Sequence, residues 1–173
     1  MKYLIPETIE TQRLVLRQFT EEDVEPFCHI MQKEDVVRYI DNGRTLNEFE
    51  CWHHIAMQIG HWHFKGFGSY ALLEKASNTL IGKIGLYAPH NWTGIECKWL
   101  LDTHFQKKGF AYEASTRLIN ECFKCNLTDT LVSIIHPENK ASIKLATKLN
   151  MFLLDSKEIT NDPSLFYCIK KQQ

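Results

Sequence analysis

Residues 99–114 read WLLDTHFQKKGFAYEA, and the middle of this stretch decides what kind of chain this is. A strand-like run ends at Leu101, and Gln106-Lys107-Lys108-Gly109-Phe110-Ala111 then leads directly into a helical pattern. Glycine and alanine keep side chains clear of the turn, so consecutive backbone N–H groups at the helix start are free to point at an anion. Lys107 and Lys108 add positive charge beside them. The stretch has neither a Walker lysine-serine pair nor the GxGxxG spacing of a dinucleotide loop. It therefore predicts a ligand carrying a pyrophosphate or a similar group. The competing reading is a lysine-containing helix start that binds nothing.

Upstream of this loop the hydrophobic period is two. Ser69–Glu74, residues 80–87 behind the turn residues Ser77 and Asn78, and residues 94–101 read as three strands with short connections, an antiparallel meander. Further back, residues 13–17 alternate like a first strand, and Thr20 before Glu21, Glu22 and Asp23 caps a helix running to about Gln32. A second helix is predicted over residues 46–59, with Phe49, Trp52, Ile55, Ala56 and Ile59 at helical spacing, and residues 60–68 read as a long irregular connector. Downstream come a helix over residues 109–125, a strand over Thr130–Ile135, a helix over residues 139–149, and strands near residues 152–159 and 165–169. This order predicts an α/β domain with a mixed sheet.

The chain has 173 residues, enough for one domain spanning 1–173, and no internal repeat or linker divides it. Lys plus Arg number 20 against 21 for Asp plus Glu, so the net charge of −1 argues against nucleic acid as a partner. Hydrophobic residues at 44% imply a packed core rather than a disordered chain. No apolar run approaches the roughly 20 residues that span a bilayer, and the start MKYLIPETIE does not read as a signal peptide. A soluble, cytoplasmic protein is expected, with no membrane partner, as a monomer or homodimer. The six cysteines are scattered through helices and strands and are read as reduced thiols; Cys122-x-x-Cys125 has no second pair and is read as structural.

The loop Gln106 to Ala111 resembles the Q/R-x-x-G-x-G/A coenzyme loop of the GNAT superfamily of acetyl-CoA-dependent N-acetyltransferases. Tyr112-Glu113-Ala114, the block His136-Pro137-Glu138-Asn139-Lys140-Ala141-Ser142, the ending Lys148-Leu149-Asn150-Met151-Phe152 and the opening TQRLVLRQFTEEDVEPF follow in the expected order. Together they resemble the branch containing the ribosomal-protein N-terminal acetyltransferases, RimJ and RimL among them. The resemblance covers nearly the whole chain. It implies the GNAT fold: a mostly antiparallel central sheet of about seven strands, splayed at its middle and flanked by about four helices. Acetyl-CoA would be the co-substrate, with no metal.

In that fold the strand with Glu96 to Leu101 and the strand with Leu131 to Ile135 start side by side and splay, leaving a slot for the pantetheine arm. The resemblance implies that backbone groups at Leu100 and Leu101 pair with the arm like an added strand. Gln106, Lys107, Lys108, Gly109, Phe110, Ala111 and Tyr112 would hold the pyrophosphate. Asn139 would bond the pantetheine or adjacent backbone, and Ser142, one turn later, would lie near the thiol. The implied reaction is attack of a neutral amine on the thioester, which needs a base, an oxyanion donor and a departing thiolate. Glu96 is the candidate base, a backbone N–H near Leu101 the oxyanion donor, and Ser142 the contact to sulfur.

Plainer readings stand beside these. Glu96 on its strand also suits a structural ion pair with Lys98, Asn139 a helix cap, and Ser142 a solvent-facing first-turn residue. His53, His54, His61 and His63 near Cys51 match no zinc spacing. With Trp52, Trp62 and Phe64 they read either as lining for the acceptor or as aromatic core with surface histidines. Arg38-Tyr39 meets an anionic acceptor or pairs with Glu34 or Asp35. Two positions depart from the family pattern: the helix after Asn139 carries no tyrosine acid, leaving Ser142, Tyr167 or solvent as proton donor, and Asn150 replaces a glycine while still tolerating a left-handed turn. The acceptor is a small amine, favoured by a closed pocket around Trp52, Trp62 and Trp92, or a protein N-terminus, favoured by an open acidic groove. The reading from another class is a CoA-binding or sensing module without catalysis.

Overall fold

The meander forms as its period of two dictates, and it carries the rest of the molecule. The computed structural model describes residues 3–40, 43–92, 94–154 and 164–172. The strands are β1 (Thr8–Glu10), β2 (Leu14–Arg17), β3 (Ser69–Glu74), β4 (Thr79–Tyr87), β5 (Ile95–Leu101), β6 (Thr130–Ile135), β7 (Phe152–Leu153) and β8 (Leu165–Lys170). The helices are α1 (Val24–Met31), α2 (Glu34–Val37), α3 (Glu48–Lys65), α4 (Phe110–Lys124) and α5 (Lys140–Lys148). The eight strands form one sheet in the order β1-β2-β3-β4-β5-β6-β8-β7. Every neighbouring pair is antiparallel except β5 and β6. The part of the expected strand 152–159 beyond Leu154 lies outside the described residues.

β5 and β6 pair only at their beginnings, Ile95 with Leu131 and Glu96 with Val132, and then diverge. One bond marks the last point of contact: the buried Ser133 hydroxyl donates to the Cys97 carbonyl at 2.7 Å. Two cores lie on the two faces of the sheet. Cys97 and Leu101 pack with α4 and α5 residues such as Phe110, Leu118 and Ala146. Leu100 packs with α1, α2 and the first half of α3 through Phe27, Val37 and Ile55.

The structure corrects the reading of residues 46–68. Asn47 and Glu50 form a reciprocal capping box at 2.9 Å each way, and α3 then runs through Gly60 to a left-handed Gly66 cap. Gly60 has nothing within 4 Å of where its Cβ would be, so it costs the helix propensity without forcing a break. The buried face is Cys51, Ile55, Gln58, His61 and Trp62, whereas Phe49, Trp52 and Ile59 are exposed. Trp62 sits in the core and Trp52 faces outward, so they form no pocket with Trp92. The short elements β1, which is the eighth strand, and α2 are additions to the sequence reading. All six cysteines are free, and only Cys125 is exposed.

Candidate active site

The loop after β5 is built as an anion cradle. Asp102 caps a short 3-10 turn (Thr103–Phe105) by accepting from the His104 amide at 2.9 Å, and the Gln106 side chain ties the loop back to the Leu101 carbonyl at 3.1 Å. Lys107 and Gly109 both take left-handed backbone, φ 60° and 84°. A turn that carries left-handed residues in this way can direct its neighbouring N–H groups toward one point. The first bond inside α4 is from Glu113 N–H to Gly109 O at 3.0 Å. Phe110, Ala111 and Tyr112 thus present N–H groups with no acceptor inside the helix, at its positive end.

A clamp from the far edge of the sheet fixes this loop, and no sequence signal revealed it. Arg13 donates through Nε to Glu113 at 2.7 Å, through its amide to Glu113 at 2.9 Å and through a guanidinium nitrogen to the Lys108 carbonyl at 3.0 Å. Its guanidinium lies 4.4 Å from the Phe110 ring centroid. Thr11 adds a 2.6 Å bond to Glu113. Burial raises the Glu113 pKa, but Thr11 and Arg13 more than offset this and hold it below the usual glutamate value.

The splay has an open edge on β5. The Cys97 and Leu101 carbonyls point toward β6 and the loop, while the Asp102 amide bonds β4 at Ile81. Strand alternation turns the backbone groups of Trp99 the same way as those of Cys97 and Leu101. Leu100 points the other way: its carbonyl faces β4, where a Cβ on Gly82 would run into it. The open edge is therefore Trp99 and Leu101, with Leu100 supplying core contacts.

Trp99 adds a link the sequence did not show. Its indole N–H donates to Ser142 Oγ at 3.1 Å across the slot. Asn139 is a helix cap, accepting from the Ser142 amide at 3.1 Å. Because Ser142 Oγ accepts from the indole, its own proton is free to be donated. Tyr167 packs inside the α4 and α5 core. The left-handed turn expected at Asn150 is present, φ 61°.

Glu96 stands at the root of the splay and, by alternation with Cys97, faces the α1 and α3 side. It is 2% exposed. Lys98 Nζ is 3.4 Å from Oε2, which makes an ion pair but is too poorly aligned for a hydrogen bond, so Oε2 has no hydrogen-bond partner. Burial raises its pKa above the ordinary carboxylate value, against the opposing pull of Lys98, the Ile134 amide and Lys83. Glu96 is thus paired with Lys98, and burial still holds its pKa above the ordinary carboxylate value.

The histidines separate into different jobs. His61 donates to the Phe67 carbonyl at 2.9 Å and accepts from the Ala88 amide at 3.0 Å, so it is a satisfied core residue. His54 stacks on Phe27 and accepts from Lys83 at 2.6 Å; burial first, then Lys83 and Lys98, pull its pKa to about 2. His53 bonds the Phe49 carbonyl. Arg38 pairs with Asp35, while Tyr39 stacks on His136, 5.1 Å between centroids, at the end of β6. Among the described residues no group of three or more His, Cys, Asp or Glu is placed to hold a metal, and no helix is long and apolar enough to cross a membrane. Two shallow concavities, about 370 and 570 Å³, lie along α3 around Phe49, and His54 lines the first of them.

A splayed parallel pair beside a helix-start anion cradle defines an acetyltransferase fold of the GNAT type. Residues 13–151 match the family described as an acetyltransferase (GNAT) domain, and the chain belongs to it. It is 27% identical over 146 residues to the uncharacterised N-acetyltransferase p20 of Bacillus licheniformis, covering 83% of this chain and 82% of that one. An acetyltransferase from Agrobacterium tumefaciens superposes with a TM-score of 0.85 at 26% identity, over 99% of this chain and 98% of that one. RimL, a ribosomal L7/L12 alpha-N-protein acetyltransferase solved with coenzyme A, shares the fold at a TM-score of 0.80 and 16% identity, over 95% and 98% of the two chains.

Proposed function

We propose that the protein moves the acetyl group of acetyl-CoA to a primary amine by direct attack on the thioester. The observation that carries this reading is the position of Glu96. It lies at the closed end of a slot whose open end meets the cradle of residues 107–112. From Glu96 to Leu101 the strand rises about 16 Å, which suits an extended pantetheine arm lying along Trp99 and Leu101. That RimL, a protein of the same fold, was solved with coenzyme A supports coenzyme binding here.

In this reading the pyrophosphate rests on the Lys108 to Tyr112 N–H groups, and the thioester reaches the fork. The amine arrives from the α1 and α3 face, where Glu96 takes its proton directly or through water. A backbone N–H of the open edge, near Leu101, stabilises the oxyanion. Ser142, held by Trp99 on the opposite face, offers its proton to the leaving thiolate. Base and leaving-group contact thus stand on opposite faces of the slot, so the amine loses its proton on one side of the tetrahedral intermediate and the thiolate leaves on the other.

The test is thiol release from acetyl-CoA across a panel of small amines and peptide N-termini, with a pH profile for wild type and Glu96→Gln. Because the Glu96 pKa is raised, kcat/KM should climb with pH through a value above the ordinary carboxylate range, and Glu96→Gln should remove that limb. Loss of acceptor affinity alone would make Glu96 a binding group. Coenzyme binding with no turnover on any amine would leave a coenzyme-binding module, the reading that the tyrosine-free α5 favours.

A further inference from the structure

The cradle of residues 107–112 is bordered by more positive charge than a pyrophosphate needs. α5 reads KASIKLATK, with Lys140, Lys144 and Lys148 spaced four apart on one exposed face and no acid among them. Lys148 Nζ lies 4.1 Å over the ring of Tyr112, one of the three residues whose amides open from the α4 start. This contact brings the end of the α5 stripe to the mouth of the cradle. Lys107 and Lys108 stand in the loop itself. Among the described residues none of these five lysines is within ion-pair distance of a carboxylate, and Glu113, the one acid in the first turn of α4, is taken by Arg13 and Thr11.

We infer that Lys148, with Lys144 one turn before it, binds a phosphomonoester carried by the ligand in addition to its pyrophosphate. Resting on the coenzyme assignment above, this names the 3′-phosphate of the CoA ribose, and it makes the site selective for CoA over 3′-dephospho-CoA. A diphosphate diester brings about two negative charges, which the helix start, Lys107 and Lys108 already answer, and a phosphomonoester adds nearly two more near neutral pH. Lys148 is exposed and, among the described residues, its ammonium rests on the Tyr112 ring, from which it can turn to such a group.

Calorimetric titration of the full chain with CoA and with 3′-dephospho-CoA tests the assignment. Wild type should bind CoA about three- to fivefold more tightly, the scale of one partly exposed ion pair. Lys148→Ala should lose most of that preference while binding 3′-dephospho-CoA as wild type does, Lys148→Arg should keep it, and added salt should shrink it. Equal wild-type affinities for the two ligands would overturn the inference. So would a Lys148→Ala variant that keeps the preference or weakens both ligands equally. Failure of both ligands to bind wild type would instead overturn the coenzyme assignment itself.

Discussion

Replacing Arg13 by alanine tests whether the cradle is held in shape from outside. The substitution removes the partly exposed pair with Glu113, about 0.5 kcal/mol, the hydrogen bond to the Lys108 carbonyl, about 1 kcal/mol, and the stacking on Phe110, about 0.5 kcal/mol. Together these are about 2 kcal/mol, which in a domain of this size lowers the melting midpoint by about 4–8 °C. If the same energy keeps Lys107 to Gly109 in their turn, with Lys107 and Gly109 left-handed, a variant without it must re-form that turn to bind CoA. The Kd for CoA should then rise by about five- to tenfold, with about 30-fold as the ceiling set by 2 kcal/mol. Calorimetric titration with CoA needs no knowledge of the acceptor and reads this directly. Glu113→Gln, which keeps an acceptor for Thr11 but loses the charge, should fall between wild type and Arg13→Ala. A midpoint that drops as expected while the Kd stays within about twofold would refute the argument and leave Arg13 a stabilising residue only.

Three further outcomes follow from other parts of the molecule. His54 and His61 are held neutral by burial, their pKa values below the usual histidine value of 6.5, so the unfolded chain takes up protons that the folded chain refuses. Stability should be full above that value and fall as pH drops below it, by at most about 1.4 kcal/mol per pH unit for each histidine. Urea midpoints should decline less steeply in His54→Gln, and an unchanged slope would contradict this. Gly82→Ala drives a Cβ into the Leu100 carbonyl and to 2.9 Å from Leu101 Cα, so it should cost about 3 kcal/mol by chemical denaturation. A loss under 0.5 kcal/mol would mean that β4 and β5 separate easily. Ser142→Ala should lower kcat about tenfold by thiol release with little change in CoA affinity, whereas a merely structural bond between this residue and Trp99 would move neither.

The sequence made the parts with a local signature legible. β3 and β6 appear with their expected bounds because apolar alternation over six residues has one stable interpretation. The Gln106 to Ala111 loop was legible because glycine and alanine at a helix start have few other uses. The end of α3 was not, because Gly60 and the tryptophan-histidine run disguised a helix whose buried face ends at Trp62. β1 has three residues and gains its place only by pairing with β2. The clamp joins residues 100 positions apart and the Trp99 to Ser142 bond residues 43 apart, separations at which a single sequence carries no pairing information. The same limit explains Leu100: which of two adjacent residues faces the slot depends on strand register, and a shift of one residue reverses it.

The Ser133 to Cys97 bond gives the splay a consequence of its own. It acts as a rivet at the point where β5 and β6 part, so the gap neither zips shut in the empty protein nor tears further down the sheet when an arm is laid in it. The slot has a fixed depth, set by one hydroxyl, and on the proposed function a thioester would spend none of its binding free energy prying strands apart. The stop lies one residue beyond Glu96, where a side-chain hydroxyl meets a backbone carbonyl.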